Sequence, residues 1–326
     1  MTSSAAEARN VYSKLLTEFS KVIVGKSEIL KLMTVALLSE GHILLEGVPG
    51  VAKTLMAKVF SQSLSLAFKR IQFTPDMLPS DIMGTFVFNV KTQEFTFRRG
   101  PVFANVILAD EINRATPKTQ SSLLEAMQER QVTVEGYTEA LEQPFMVIAT
   151  QNPVELEGTY TLPESQLDRF MFRLIVDYPN HDEGVRILQQ TLKETELLEV
   201  PKIASLREIL EVRDFIRKSV HIDPDIMEYI VNIIEETRRE EGRITLGGSP
   251  KASVHLMNAC RALAVLEGRD YVVPDDVKQL AFSILNHRVM LKPQYVSESS
   301  SLDNPYQYKT LTRLIADLVS KIEPPR

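Results

Sequence analysis

One stretch constrains this fold more than any other: residues 42–58, which read His-Ile-Leu-Leu-Glu-Gly-Val-Pro-Gly-Val-Ala-Lys-Thr-Leu-Met-Ala-Lys. Ile43–Leu45 is an apolar run short enough for a fully buried strand. Gly47, Val48, Pro49, Gly50, Val51 and Ala52 then turn the chain, and Lys53, Thr54 and Leu55 open a helical pattern continued by Met56, Val59 and Phe60. Strand, glycine turn and helix in that order are what a phosphate-binding loop requires. Its glycines let backbone N–H groups converge on an anion, the helix start adds partial positive charge, and Lys53 adds a full one. Thr54 would place a hydroxyl on Mg²⁺. The pattern G-x-x-x-x-G-K-[ST] is met except at Ala52, which stands where the second glycine is expected. Ala is acceptable there if the position has the right-handed backbone of a helix start. The plain alternative is an ordinary strand-to-helix turn of an α/β core.

The chain is long enough, at 326 residues, for two domains. A net charge of −6 provides no overall field for nucleic acid or an anionic membrane. Cys260 is the single cysteine, which rules out a disulfide framework and a cysteine-based metal site; it sits in an apolar helical pattern as a small core residue. Residues 1–9 are polar and lack the apolar core of a signal peptide, and no apolar run approaches a membrane helix. A cytoplasmic location is the expectation.

Taken in order, residues 5–20 and 27–39 have helical spacing. Between them Val22, Ile23, Val24 and Gly25 make a short apolar turn that is either a nucleotide-base contact or a plain connection. Arg70–Phe73 reads as a strand, a loop leads to a short helix near Asp81, and Thr85–Val90 with Glu94–Phe97 reads as a hairpin. Phe103–Ala109 is an apolar strand and Pro117–Arg130 a helix. Gln131–Val134 and Pro144–Ala149 are strands joined by an acidic turn, and Phe172–Val176 is a further core strand. From His181 onward the strands stop, and Pro224, Pro250 and Pro274 mark helix starts. The reading is therefore α/β: a parallel-sheet nucleotide-binding core over 1–180, with hairpins near 85–97 and 131–147, and a helical domain over 181–326. Ser297–Ser301 reads as a mobile loop.

Phosphate chemistry also needs a carboxylate for the metal and a group to orient water. Val106–Ala109 delivers Asp110 and Glu111 at a strand's C-terminal end, where open α/β sheets bind ligands. Asp110 would hold Mg²⁺ and Glu111 would polarise the attacking water. Asn152 ends the next strand, either as a phosphate contact or as an Asn-Pro turn residue.

These segments together resemble the MoxR family of AAA+ ATPases. The likeness runs through residues 44–54, through Ile71–Asp76, through Leu108–Ala115 and through Leu123–Arg130. It continues in Ala149–Pro153, Leu162–Glu164 and Gln166–Phe170, and in the helical half in Gly268–Val272 and Pro274–Val277. Ala52 looks like a family trait. The resemblance also implies that the hairpins near 85–97 and 131–147 are inserts of an AAA+ core and that 181–326 is the family's helical lid. The resemblance implies that Lys53 and Thr54 are the Walker A pair, Asp110 and Glu111 the Walker B pair, and Asn152 sensor 1. It makes Arg169 an arginine finger reaching a neighbouring subunit's nucleotide, against the plainer reading of a surface pair with Asp168. Sensor 2 falls on Lys251, where the family has Arg; Lys keeps the charge and loses the planar fork. The family further implies ATP and Mg²⁺ as cofactors and a ring, hexameric by expectation. A von Willebrand factor A-domain partner and chaperone-like maturation of a target complex also follow. Two rivals stay open: a nucleotide-gated binding module with little turnover, and a DNA-acting motor. Against the motor stands the segment 131–146, which carries Glu135, Glu139 and Glu142 and no Lys or Arg.

Overall fold

The apolar run ahead of the glycine turn forms strand β1 (Ile43–Glu46), buried at all four residues. It sits in a five-stranded sheet of order β2-β5-β8-β1-β9. The other strands are β2 (Phe68–Gln72), β5 (Val106–Asp110), β8 (Met146–Gln151) and β9 (Phe172–Ile175). β2 pairs with β5, β5 with β8 and β8 with β1, all in parallel. Unbroken apolar sequence is the consequence of burial on both faces, and β5 is buried throughout. β2 lies at the sheet edge, with Lys69, Arg70 and Gln72 exposed and Ile71 buried. This computed structural model describes residues 4–152, 158–192, 200–295 and 308–325. Pro153 and the Ser297–Ser301 stretch lie outside the described residues.

The chain divides into two compact units, one of residues 13–162 with 174–210, the other of 1–12, 163–173 and 211–326. In the sheet-bearing unit, helix α2 (Ser27–Leu38) buries Leu30, Met33 and Leu37, and α3 (Lys53–Ser63) buries Met56, Val59 and Phe60. Each such large side chain contributes roughly 1.5–3 kcal/mol on burial. The connections also carry α4 (Pro79–Met83) and α5 (Pro117–Glu129), while α7 (His181–Leu192) follows the last strand. Helix α1 (Ala5–Val22) opens the chain.

Two strand expectations need correction. The strand expected from Phe103 begins at Val106, because Val102 first closes back onto the Ile82 carbonyl at 3.2 Å below hairpin β3 (Gly84–Asn89) and β4 (Glu94–Arg99). The acidic turn after β6 (Gln131–Val134) leads not to β8 but to a strand of its own, β7 (Tyr137–Ala140), antiparallel to β6. Glu135 and Gly136 both have positive φ, 51° and 83°, the signature of a two-residue type I′ hairpin turn. β8 then joins the main sheet between β5 and β1.

The second unit is built on α8 (Leu206–Ser219) from Glu211 onward, α9 (Pro224–Arg239), α10 (Pro250–Leu266), α11 (Pro274–Leu285) and α12 (Tyr308–Lys321), with the short α6 (Glu164–Leu167). Helices α9, α10 and α11 each begin on the proline that marked them. Strands do not stop completely: β10 (Ile244–Leu246) and β11 (Met290–Leu291) pair antiparallel. Small residues along α10, Ala252, Ala259, Cys260 and Ala262, are fully buried, and burial pushes the Cys260 thiol pKa up, leaving it an inert core group.

Candidate active site

The parallel register aligns the strand ends from which the site is built. Gln72 lies opposite Asp110, Ala109 opposite Ala149, and Ala149 opposite Leu44. The glycine turn, the acidic pair and Asn152 therefore all emerge at the same carboxyl edge of one sheet. Asn152 is buried, directly after β8.

Within the turn, Gly47 is required by close approach, since a Cβ there would stand 2.4 Å from the Val176 carbonyl oxygen. Gly50 has φ +82° and opens onto free space. Ala52 corrects the sequence argument: its backbone is left-handed, at φ 61° and ψ 22°, not the right-handed conformation assumed for it. That conformation costs an L-residue about 1–2 kcal/mol. Lys53 Nζ donates to the Gly47 carbonyl at 2.5 Å, which folds the cationic arm back over the loop.

The acidic pair is more tightly held than sequence spacing suggested. Thr150 Oγ1 donates to Asp110 Oδ1 at 2.6 Å and accepts the Glu111 amide at 2.9 Å. Arg70 donates to Asp110 Oδ2 from Nε and Nη2, at 3.0 and 2.7 Å. Arg70 Nη2 also reaches Gln72 Oε1 at 2.6 Å, and Gln72 Nε2 donates to Glu111 Oε2 at 2.7 Å. Arg114 Nε stands 3.0 Å from the same Glu111 oxygen. Glu111 itself sits in the left-handed region at φ 56°, the kind of backbone strain that surrounding structure must hold in place. Sequence reasoning missed Arg70, Gln72, Arg114 and Thr150. The available signal was the alternation of Arg70 and Gln72 on an edge strand, which puts both on one face.

Thr54 Oγ1 lies 3.4 Å from Asp110 Oδ2. A hydroxyl and a carboxylate converging at that distance suit Mg²⁺, a hard cation that takes one or two protein oxygens and fills its octahedron with phosphates and water. Among the described residues no group of three or more His, Cys, Asp or Glu side chains is placed to hold a metal unaided. The donor set thus fits a metal that arrives with phosphates.

Beside the loop is a cavity of about 550 Å³, walled by Ile23 and Val24 on one side and by Gly50, Ala52 and Leu55 on the other, with Ile187 from α7. Gly25, next to Val24, does not itself line the cavity; its φ is +72°, and a Cβ there would collide with the Glu183 side chain. The wall contributed by α7 was not foreseen.

Arg169 and Lys251 are in the other unit. Asp168 is not simply a surface partner of its neighbour: its carboxylate accepts from Ser249 Oγ at 3.0 Å and from Arg288 Nε at 2.7 Å. Lys251 is half-buried beside this group. Burial holds its ammonium pKa below the usual lysine range; the Arg288 and Arg169 charges act in the same direction and Asp168 opposes them.

The family description "ATPase family associated with various cellular activities (AAA)" matches residues 42–172, and an AAA lid domain matches residues 236–305. The chain is 50% identical to the uncharacterized protein YeaC of Bacillus subtilis, over 86% of this chain and 87% of that protein. It is 41% identical to the chaperone MoxR1 of Mycobacterium tuberculosis, over 88% of this chain and 77% of the relative. A solved crystal structure from Cytophaga hutchinsonii superposes with a TM-score of 0.88 at 38% identity, covering 99% of this chain and 97% of that one. Parallel sheet, glycine loop, strand-end carboxylates and helical lid define a P-loop ATPase of the AAA+ class. Within that class the chain belongs to the MoxR family.

Proposed function

We propose that this ATPase binds Mg²⁺-ATP at the glycine loop and hydrolyses it in a ring, hexameric by family resemblance, to remodel a partner protein complex. The observation that carries the reading is the convergence of Thr54 Oγ1 on Asp110 Oδ2, with the adjoining Glu111 amide fixed by the hydroxyl of Thr150. In the proposed roles, Lys53 and the loop amides of residues 47–54 hold phosphate oxygens, while Thr54 and Asp110 hold Mg²⁺. The metal supplies charge neutralisation at the β- and γ-phosphates. Glu111 orients and deprotonates water, Asn152 contacts the γ-phosphate, and Val24 and Leu55 border the base cavity, with Gly25 next to Val24. Arg169 acts as a finger on a neighbouring copy's nucleotide, and Lys251 takes the sensor 2 role.

The M. tuberculosis relative is named a chaperone, and that name supports chaperone-like work on a target protein. A von Willebrand factor A-domain partner, cofactor insertion into the target and a cytoplasmic location complete the proposal on family grounds. Among the described residues, no helix is long and apolar enough to cross a membrane.

The test is phosphate release per subunit against protein concentration at saturating Mg²⁺-ATP, with Arg169→Ala alongside. A specific activity that climbs with concentration in the wild type and not in the variant supports a finger supplied in trans. A flat rate, identical in both proteins, removes Arg169 and the ring from the mechanism.

A further inference from the structure

Arg288, which follows α11, is a buried cation whose guanidinium meets several partners at once. Its side chain is only 2% exposed. A guanidinium has five N–H donors in a rigid fork. Nε donates to Asp168 Oδ1 at 2.7 Å, Nη2 to the carbonyls of Asp168 at 3.2 Å and Phe170 at 2.6 Å, and Nη1 to the carbonyl of Met171 at 3.2 Å. Nη1 also reaches the Ile284 carbonyl, and Nη2 stands 2.8 Å from His255 Nδ1. Three of the four backbone carbonyls in the run 168–171 are thus collected by one side chain, and the carbonyl left out is that of Arg169.

Neighbouring groups tighten the same run. His287 Nε2 meets the Phe170 carbonyl at 3.0 Å, and Ser249 Oγ donates to Asp168. Phe170 and Met171 are buried, at 0% and 1% exposure, whereas Arg169 between them and Asp168 is partly exposed. The backbone on either side of Arg169 is therefore held by Ser249 at the start of α10 and by His287 and Arg288 just after α11, so Arg169 sits in a clamped segment.

We propose that Arg288 is a positioning residue for Arg169: by gripping residues 168, 170 and 171 it sets the direction in which the finger leaves the helical unit, with Ser249 as a secondary brace on Asp168. This rests on the reading of Arg169 as a finger acting on a second copy of the chain. Its chemistry is that of preorganisation, in which a charge aimed by rigid supports is worth more than the same charge on a loose segment.

The experiment measures steady-state ATP turnover of Arg288→Lys and Ser249→Ala at a concentration where wild-type specific activity is maximal. Arg288→Lys keeps the charge and loses the fork; Ser249→Ala removes one hydroxyl, so it reports even if the first variant folds poorly. Turnover is expected to fall roughly ten- to a hundredfold in Arg288→Lys and a few-fold in Ser249→Ala, with KM for ATP little changed. Each variant is then mixed with an equal amount of Glu111→Gln protein, whose finger segment is intact and whose own site is disabled. The expected result is partial rescue, because a Glu111→Gln neighbour supplies a correctly aimed finger to the variant's intact site. Wild-type turnover in both variants overturns the proposal. So does a loss without rescue under conditions where Arg169→Ala is rescued, since that identifies damage to the variant's own site. If Arg169→Ala itself is unimpaired, or is not rescued, the finger reading fails first and the proposal falls with it.

Discussion

Arg70 lays the edge of its guanidinium on Asp110, with Nε and Nη2 at 3.0 and 2.7 Å from the carboxylate oxygen that faces Thr54. The carboxylate expected to hold the metal is thus already paired with a cation from the sheet edge. The pair is half open to water, the arginine side chain being 49% exposed, so its strength is modest.

If Asp110 holds Mg²⁺ as proposed, Arg70 and the metal compete for Asp110 Oδ2. Replacing Arg70 with Met is expected to lower the Mg²⁺ concentration for half-maximal ATPase activity by roughly two- to fivefold, which is what a half-exposed ion pair is worth. A Mg²⁺ titration at fixed ATP decides it; an unchanged or higher half-point would show that Arg70 supports Asp110 more than it competes.

With Glu111 in the proposed role of base, Glu111→Gln is expected to separate binding from chemistry. The amide keeps the size of the side chain and loses the base, so nucleotide binding should persist while turnover drops by at least about a hundredfold. Equilibrium binding of a fluorescent ATP analogue, followed by phosphate release, tests both halves. Turnover near wild type would take Glu111 out of the mechanism.

Ala52 stores strain at φ 61°. Glycine adopts that backbone freely, at the expense of a more disordered unfolded chain. Ala52→Gly is expected to stabilise the nucleotide-free protein by about 0.5–1 kcal/mol, and Ala52→Val to destabilise it by more than 1 kcal/mol. Urea unfolding midpoints give the answer, and a lower midpoint for the glycine variant would contradict the strain.

His287 is buried against Arg288, Arg173 and His255, and burial followed by the Arg288 charge holds its pKa well below the usual histidine value. The folded protein keeps the ring neutral while the unfolded chain protonates it near pH 6.5. Below that pH the unfolded state binds the extra proton, so stability is lost as pH falls, by up to about 1.4 kcal/mol per pH unit until the folded ring titrates. Unfolding of wild type and His287→Gln between pH 7 and 5 should show the wild-type slope reduced in the variant.

Sequence pattern located most of this architecture because its signals are local. The buried strands β1, β5 and β8 announce themselves as unbroken apolar runs, and the prolines of α9, α10 and α11 mark helix starts by fixing φ. The β6–β7 hairpin was harder: Glu135-Gly136 forms the turn without the Asn or Asp that usually precedes glycine there. Ala52 was misjudged because a helix start read from sequence carries no sign of φ. The supports of the candidate site were illegible for a different reason. Arg70 meets Asp110 across 40 positions and Arg288 meets Asp168 across 120, and no spacing rule connects residues that only the fold brings together.

The two hairpins of the core have closed necks. Gly100 N–H donates to the Met83 carbonyl at 3.2 Å where β3 and β4 meet, and Leu141 N–H donates to the Arg130 carbonyl at 2.9 Å below β6 and β7. A Cβ on Gly100 would stand 2.2 Å from the Ile82 carbonyl, so the first neck admits nothing larger than glycine. Each excursion ends within one hydrogen bond of its departure point. Lengthening or trimming a tip leaves the route from β2 to β5, and from β5 to β8, unaltered. The outer surface of this ATPase can therefore be redrawn, by evolution or by grafting at residues 90–93, while the carboxylates inside keep their coordinates.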